Sequence, residues 1–97
     1  MQSVEEEIQS KNLNAPRVTP DRVEAVIASE YYHVPPGTTL TLCVLTLQNG
    51  FTVVGESACA SPANFDAELC KRIARDNAKG KIWALEGYAL RNELKAA

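Results

Sequence analysis

The last third of the chain limits the fold more than any other stretch. From Ser61 to about Lys95, nothing interrupts a helical pattern except Gly80 and Gly87. Ser61 stands where a cap is wanted, and Pro62 is pre-shaped for the first helical position. Apolar residues then fall in three rows. The first is Phe65, Leu69 and Ile73, and the second is Ala74, Ala78, Ile82, Leu85 and Ala89. The third, Gly80, Trp83, Gly87, Leu90 and Leu94, is spaced like a coiled-coil seam. An unbroken helix of about 33 residues would run about 50 Å. A compact chain of this length has a radius of gyration of only about 12–13 Å. The rod must therefore break near Gly80 or Gly87, or lay its far half against another chain. Trp83, Leu90 and Leu94 need burial, and no local segment is left to supply it. The second solution is favoured, and a homo-oligomer is expected.

The segments before it are short. Ser3-x-x-Glu6 is a capping-box pattern and predicts a first helix over residues 3–11, with only Val4 and Ile8 as its apolar face. Asn12 to Val18 reads as a linker broken by Asn14 and Pro16. Residues 1–18 are thus expected to form a partly flexible arm on one small domain spanning 1–97. Thr19-Pro20-Asp21 starts a second helix, in which Val23, Val26, Ile27 and Tyr31 would form one buried stripe. It should reach His33, because Pro35-Pro36-Gly37 cannot continue it.

Thr38 to Leu47 is rich in threonine and branched apolar residues, which predicts a strand. Asn49-Gly50 then predicts a two-residue hairpin turn. That turn would set Val44 opposite Gly55, Cys43 opposite Glu56 and Leu42 opposite Ser57. Both faces of the ribbon carry apolar residues, so both are expected to be covered at least in part. A lone two-stranded ribbon is unstable in water. The expected fold class is α+β: a short N-terminal helix, a second helix, a two-stranded β-hairpin and a long C-terminal helix, completed by oligomerisation.

The 97 residues carry a net charge of −2, which argues against duplex DNA as a partner. The charge is uneven. Residues 1–30 hold six acids against Lys11, Arg17 and Arg22, while residues 71–81 hold five bases against Asp76. The two regions could attract each other, or the basic one could meet an anionic partner. Cys43, Cys59 and Cys70 are odd in number and form no CxxC pair, which suits a reducing compartment. The start MQSVEEE is not a secretory signal. No apolar run approaches the roughly 20 residues that span a bilayer, so no membrane partner is expected.

Chemistry-bearing motifs are absent. There is no HExxH, GxxxxGK, GxSxG or GxGxxG, and His33 is the sole histidine. Glu56 and Asp66 occupy undistinctive positions for an acid–base pair. The chain is read as non-enzymatic, with no catalytic residue, metal site or cofactor. A ligand site is conceivable where Gly55, Glu56 and Ser57 end a strand and Ser61 and Asn64 open a helix, because free N–H groups and helix dipole favour anions there. Arg72, Arg75 and Lys79 on the basic helix could supply phosphate contacts. The competing reading gives these residues only structural roles as cap, ladder end and solvated helix face. Gly80, Trp83, Gly87, Tyr88, Leu90 and Leu94 combine small residues with large anchors and are the candidate oligomer interface.

The blocks NGFTVVGESACAS, NFDAE and KIWALEGY resemble a family of small proteins of tailed phages and prophages, the gene-product-forty-nine-like family. The resemblance covers nearly the whole chain and is weakest over residues 1–12. That family often has glycine where this chain has Cys70, and proline where it has Ala84. The second departure implies a helix break between Lys79 and Trp83. The resemblance implies a phage protein at work in the host bacterial cytoplasm, and it carries no settled biochemical role. Some small helical anti-defence proteins trap cyclic nucleotide signals between subunits. By analogy, the chain is expected to be a counter-defence accessory protein that sequesters an anionic small molecule, such as a nucleotide signal, at a subunit interface. The alternative is an inhibitor or adaptor that meets a host protein through its acidic N-terminal surface, with no small ligand.

Overall fold

The sheet has three strands, not two. The computed structural model describes residues 3–10 and 15–96. Its elements are α1 (Val4–Ser10), α2 (Pro20–Ala25), β1 (Ile27–His33), β2 (Leu40–Leu47), β3 (Thr52–Ala58), a 3-10 turn at Pro62–Asn64, and α3 (Ala67–Ala96). The strands are antiparallel in the order β1-β2-β3, and α3 covers one face. Lys11 and the expected linker at Asn12 to Asn14 lie outside the described residues. The class is α+β, as expected. In α1 the Ser3 hydroxyl accepts the Glu6 N–H at 3.1 Å, as the capping-box pattern predicts.

The helix expected to reach His33 ends at Ala25. Its start is as predicted: Thr19 Oγ1 accepts the Arg22 N–H at 3.2 Å, and Pro20 opens the first turn. The stripe of Val23, Val26, Ile27 and Tyr31 misleads, for only Val23 is buried and Tyr31 is 62% exposed. Ile27–His33 carries isoleucine and two tyrosines, which suit a pleated surface. Pairing with β2 gives this segment a hydrogen-bonded ladder, from Ser29 opposite Thr46 to His33 opposite Leu42.

The hairpin turn is one residue longer than Asn49-Gly50 suggests. Leu47 N–H donates to Phe51 O at 2.8 Å, and Gly50 N–H donates to Leu47 O at 2.9 Å. Gly50 has φ +86°, so it closes a three-residue loop from the left-handed region. The register therefore slips by one from the expected pairing. Cys43 faces Gly55, Leu42 faces Glu56 and Thr41 faces Ser57. This resolves the awkward expectation of a carboxylate against Cys43 on an apolar face.

The core lies between the sheet and α3. Val23, Cys43, Leu45, Leu47 and Val53 pack against Ala74, Ala78 and Ile82. The alanines and Gly55 let helix and strand approach closely. A Cβ built on Gly55 would lie 2.1 Å from Ala74 O and 2.2 Å from Ala78 N. The opposite sheet face is covered only in part: Leu42 and Val44 on it are half-buried, and Tyr31 and Val54 are exposed.

The long helix starts later than expected. Ser61 makes no side-chain cap bond. Asp66 caps α3 instead, its Oδ1 accepting the Leu69 N–H at 3.0 Å. From Ala67 the helix runs unbroken for 30 residues, so there is no break between Lys79 and Trp83. Alanine at position 84 keeps the backbone N–H that proline would remove. The radius of gyration is 16.3 Å and the longest extent 51 Å, against about 12–13 Å for a compact chain of this length. The row of Leu69 and Ile73 faces solvent, while Cys70, Ala74, Ala78 and Ile82 face the sheet. Among the described residues, no helix is long and apolar enough to cross a membrane.

Candidate functional site

The uneven charge of the sequence resolves into ion pairs within the protomer. Arg75 of α3 grips the Glu24 carboxylate with two nitrogens, at 3.1 and 3.0 Å, and its Nε donates to Glu30 at 2.8 Å. Lys79 Nζ adds a contact of 2.7 Å to Glu24. Hydrogen bonds from Arg75 and then Lys79 pull the Glu24 carboxyl from its ordinary 4.5 down to about 2. The Arg75 guanidinium is correspondingly held more firmly in its charged form by the same carboxylates. Further along, Arg22 of α2 reaches Glu86 at 3.1 Å and Glu93 at 3.4 Å. Near the helix start, Lys71 pairs with Glu68 at 3.8 Å.

The opposite flank of α3 borders the free edge of β3. The Leu47–Phe51 bond sets the phase of the β2–β3 ladder. Alternation then turns the N–H and C=O groups of Thr52, Val54 and Glu56 outward, away from β2. Asn77 of α3 reaches this edge, its Nδ2 donating to Glu56 O at 2.8 Å. One turn on, Lys81 follows Asn77 along the same helix ridge. With Val54, Gly55 and Glu56 these side chains line a shallow cleft of about 340 Å³. Among the described residues, Lys81 has no ion pair. The cleft therefore combines the Lys81 cation, the Asn77 amide and the backbone edge of β3.

The sequence candidates for a ligand site do not meet in one place. Gly55 and Glu56 line the cleft, although the Cβ space above Gly55 is filled by α3 backbone. Ser57 is buried on the core face opposite Thr41, whose Oγ1 is buried without a hydrogen-bond partner among the described residues. Ser61 accepts a hydrogen bond from the Cys59 thiol through its carbonyl, and Asn64 ends the 3-10 turn in solvent. Arg72 is exposed, while Arg75 and Lys79 are engaged by Glu24 and Glu30. Asn77 and Lys81 escaped the sequence reading. Their signal was the spacing itself, since a helix that lays Ala74 and Ala78 on Gly55 must run Asn77 and Lys81 along the same strand.

Two groups in the core are chemically quiet. Burial pushes the Cys43 thiol up. Burial, then Cys43 and Glu30, raises the Tyr32 hydroxyl to about 12, and that hydroxyl donates to Glu30 at 3.3 Å. Neither is poised to act as a nucleophile or base. The interface candidates all lie on α3, where Gly80 is exposed. Trp83, Tyr88 and Leu94 are exposed, and Gly87 and Leu90 are half-buried.

Residues 18–94 match a family described as "Phage protein (N4 Gp49/phage Sf6 gene 66) family". The chain belongs to that family. The match takes in α2, the whole sheet and all but the last residues of α3, and it leaves α1 outside. The matched span thus holds the sheet, most of the helix that covers it and the residues of the cleft at the β3 edge. No curated protein and no solved structure matches the chain.

Proposed function

We propose that this Gp49/gene 66 family protein is a non-enzymatic accessory protein of counter-defence type that sequesters an anionic small molecule of the nucleotide class. The ligand is held in the cleft between the β3 edge and α3. The observation that carries this reading is Lys81, a cation with no intramolecular ion pair among the described residues, set beside Asn77 and Glu56 in a cleft of about 340 Å³. That volume lies within the roughly 300–1,000 Å³ range of small-molecule sites. Lys81 would meet a phosphate, while Asn77 and the backbone edge of β3 would meet the polar groups of a base or sugar. The adaptor reading is weaker, because the acids it needs on the N-terminal side are largely occupied: Glu24 and Glu30 by Arg75, and Glu5 by Arg17. Calorimetry of the full chain against a panel of nucleotides and cyclic dinucleotides tests the proposal. Binding heat that is lost in Lys81→Ala supports it. No heat and no thermal shift with any member of the panel, using well-folded protein, overturns it.

A further inference from the structure

The face of α3 turned away from the sheet is unused by the protomer. Cys70, Ala74, Ala78 and Ile82 are the buried residues of the helix. At 3.6 residues per turn, Ile73, Asp76, Gly80, Trp83, Gly87 and Leu94 fall on the far side. The large apolar members are left open: Ile73 is 41% exposed, Trp83 39% and Leu94 45%. The two glycines are equally unexplained from within. Glycine weakens a helix relative to alanine, yet a Cβ built on Gly80 or Gly87 meets nothing within 4 Å. At Gly55 the fold itself uses the missing side chain. At Gly80 and Gly87, only the close approach of another chain would.

This face also carries its own charge complement. Asp76 and Arg91 are both exposed, and neither has an ion pair among the described residues. We propose that a second copy of the chain packs here, α3 antiparallel to α3, across a two-fold axis passing between Trp83 and Ala84. That single operation sets Gly80 level with the partner's Gly87, Ile73 with the partner's Leu94, and Asp76 with the partner's Arg91. Trp83 lies at the axis beside the partner's Trp83. The order along the helix runs large, acidic, small, small, basic, large. It is complementary to its own reverse, which is what an isologous interface requires. A different protein would need no such mirrored order, so the occupant is a second copy. The shared span from Ile73 to Leu94 is about 33 Å long. The inference does not rest on the ligand reading, for Lys81 and the cleft lie on the flank of α3 beside β3.

Sedimentation equilibrium and light scattering of the full chain at micromolar concentration test it. The expected mass is twice the 10.6 kDa of one chain. Asp76→Arg and Arg91→Asp should each weaken the dimer about tenfold or more by opposing like charges. Combining them should restore affinity to within about threefold of the wild type. Gly80→Ala with Gly87→Ala should also weaken the dimer, and far-UV circular dichroism should show helix content retained or increased. A monomeric wild type, a dimer indifferent to either single charge change, or a double charge variant weaker than both singles would overturn the proposal.

Discussion

Gly55→Ala is the sharpest test of how this fold is held together. The added methyl would sit 2.1 Å from Ala74 O, 2.2 Å from Ala78 N and 2.8 Å from Ala78 Cα, all backbone atoms that cannot swing aside as a side chain would. Real Cβ atoms essentially never come within 3.0 Å of such neighbours. To restore normal contact, α3 must retreat from β3 by about 1 Å, and a gap of that size forfeits about a quarter to a half of the dispersion well of each facing pair. The layer affected is the most buried in the molecule, since Cys43, Leu45, Ala74, Ala78 and Ile82 are all 0% exposed. Overpacking costs about 1–3 kcal/mol and sometimes more, and two blocked backbone atoms put this case at the upper end. Alanine gains back about 0.5–1 kcal/mol through the unfolded chain. A net loss of about 2 kcal/mol corresponds to a fall in melting temperature of about 8–16 °C for a domain of this size. Thermal unfolding followed by circular dichroism reads it directly. Gly80→Ala is the control, because the same methyl there meets nothing within 4 Å, and its melting temperature at low protein concentration should match or exceed the wild type. If Gly55→Ala melts within about 3 °C of the wild type, the close helix–strand contact is not what sets the core.

Two further outcomes follow from local geometry. Asp66→Ala should lower stability by about 1 kcal/mol in urea unfolding, because Asp66 caps α3, whereas Ser61→Ala should change it little. Equal losses would contradict the placement of the cap. Glu24→Gln should weaken the fold at neutral pH. The folded carboxyl has the lower pKa, so its contribution is complete above about 4.5 and is lost as pH falls toward about 2. Glu24 is partly exposed, so screening holds the gap between variant and wild type to about 1 kcal/mol or less. Urea unfolding at pH 7 and pH 2 should show the gap closing in acid, and added salt should narrow it at neutral pH. A gap that persists at pH 2 would mean that the loss comes from something other than the carboxylate charge.

Much of the architecture was legible because it rests on strong local signals. Thr19-Pro20 places the start of α2, Asn49-Gly50 places the hairpin, and the helical pattern expected from Ser61 places most of α3, which in fact starts at Ala67 and runs without the expected break. What failed was whatever depends on long-range partners. The stripe from Val23 to Tyr31 fits one helix face, but only β2, with partners 9 to 20 positions downstream, could show that Ile27–His33 would be better paired as a strand. The hairpin register slipped by one because Asn-Gly can fill the centre of a two-residue loop or the last two places of a three-residue loop, and local sequence does not separate the two. The charge asymmetry was visible and proved to be internal attraction, with Arg75 bonded to Glu24 across 51 positions of sequence. The cleft at the β3 edge was half visible. Gly55 and Glu56 drew attention, but Asn77 and Lys81 join them only once the helix is laid on the strand.

The position of α3 after the strands that it covers has a consequence for how the molecule comes into being. The helix that covers Cys43, Leu45 and Val53 is synthesised after all three strands. At roughly 5–20 residues per second, the sheet exists as nascent chain for seconds before its cover is made. Arg22 must then find Glu93 across 71 positions, which is a non-local closure of the kind that slows folding. The fold should therefore close only once α3 has been made, and a nascent chain ending before Ala67 would expose its apolar strands to aggregation and to chaperones.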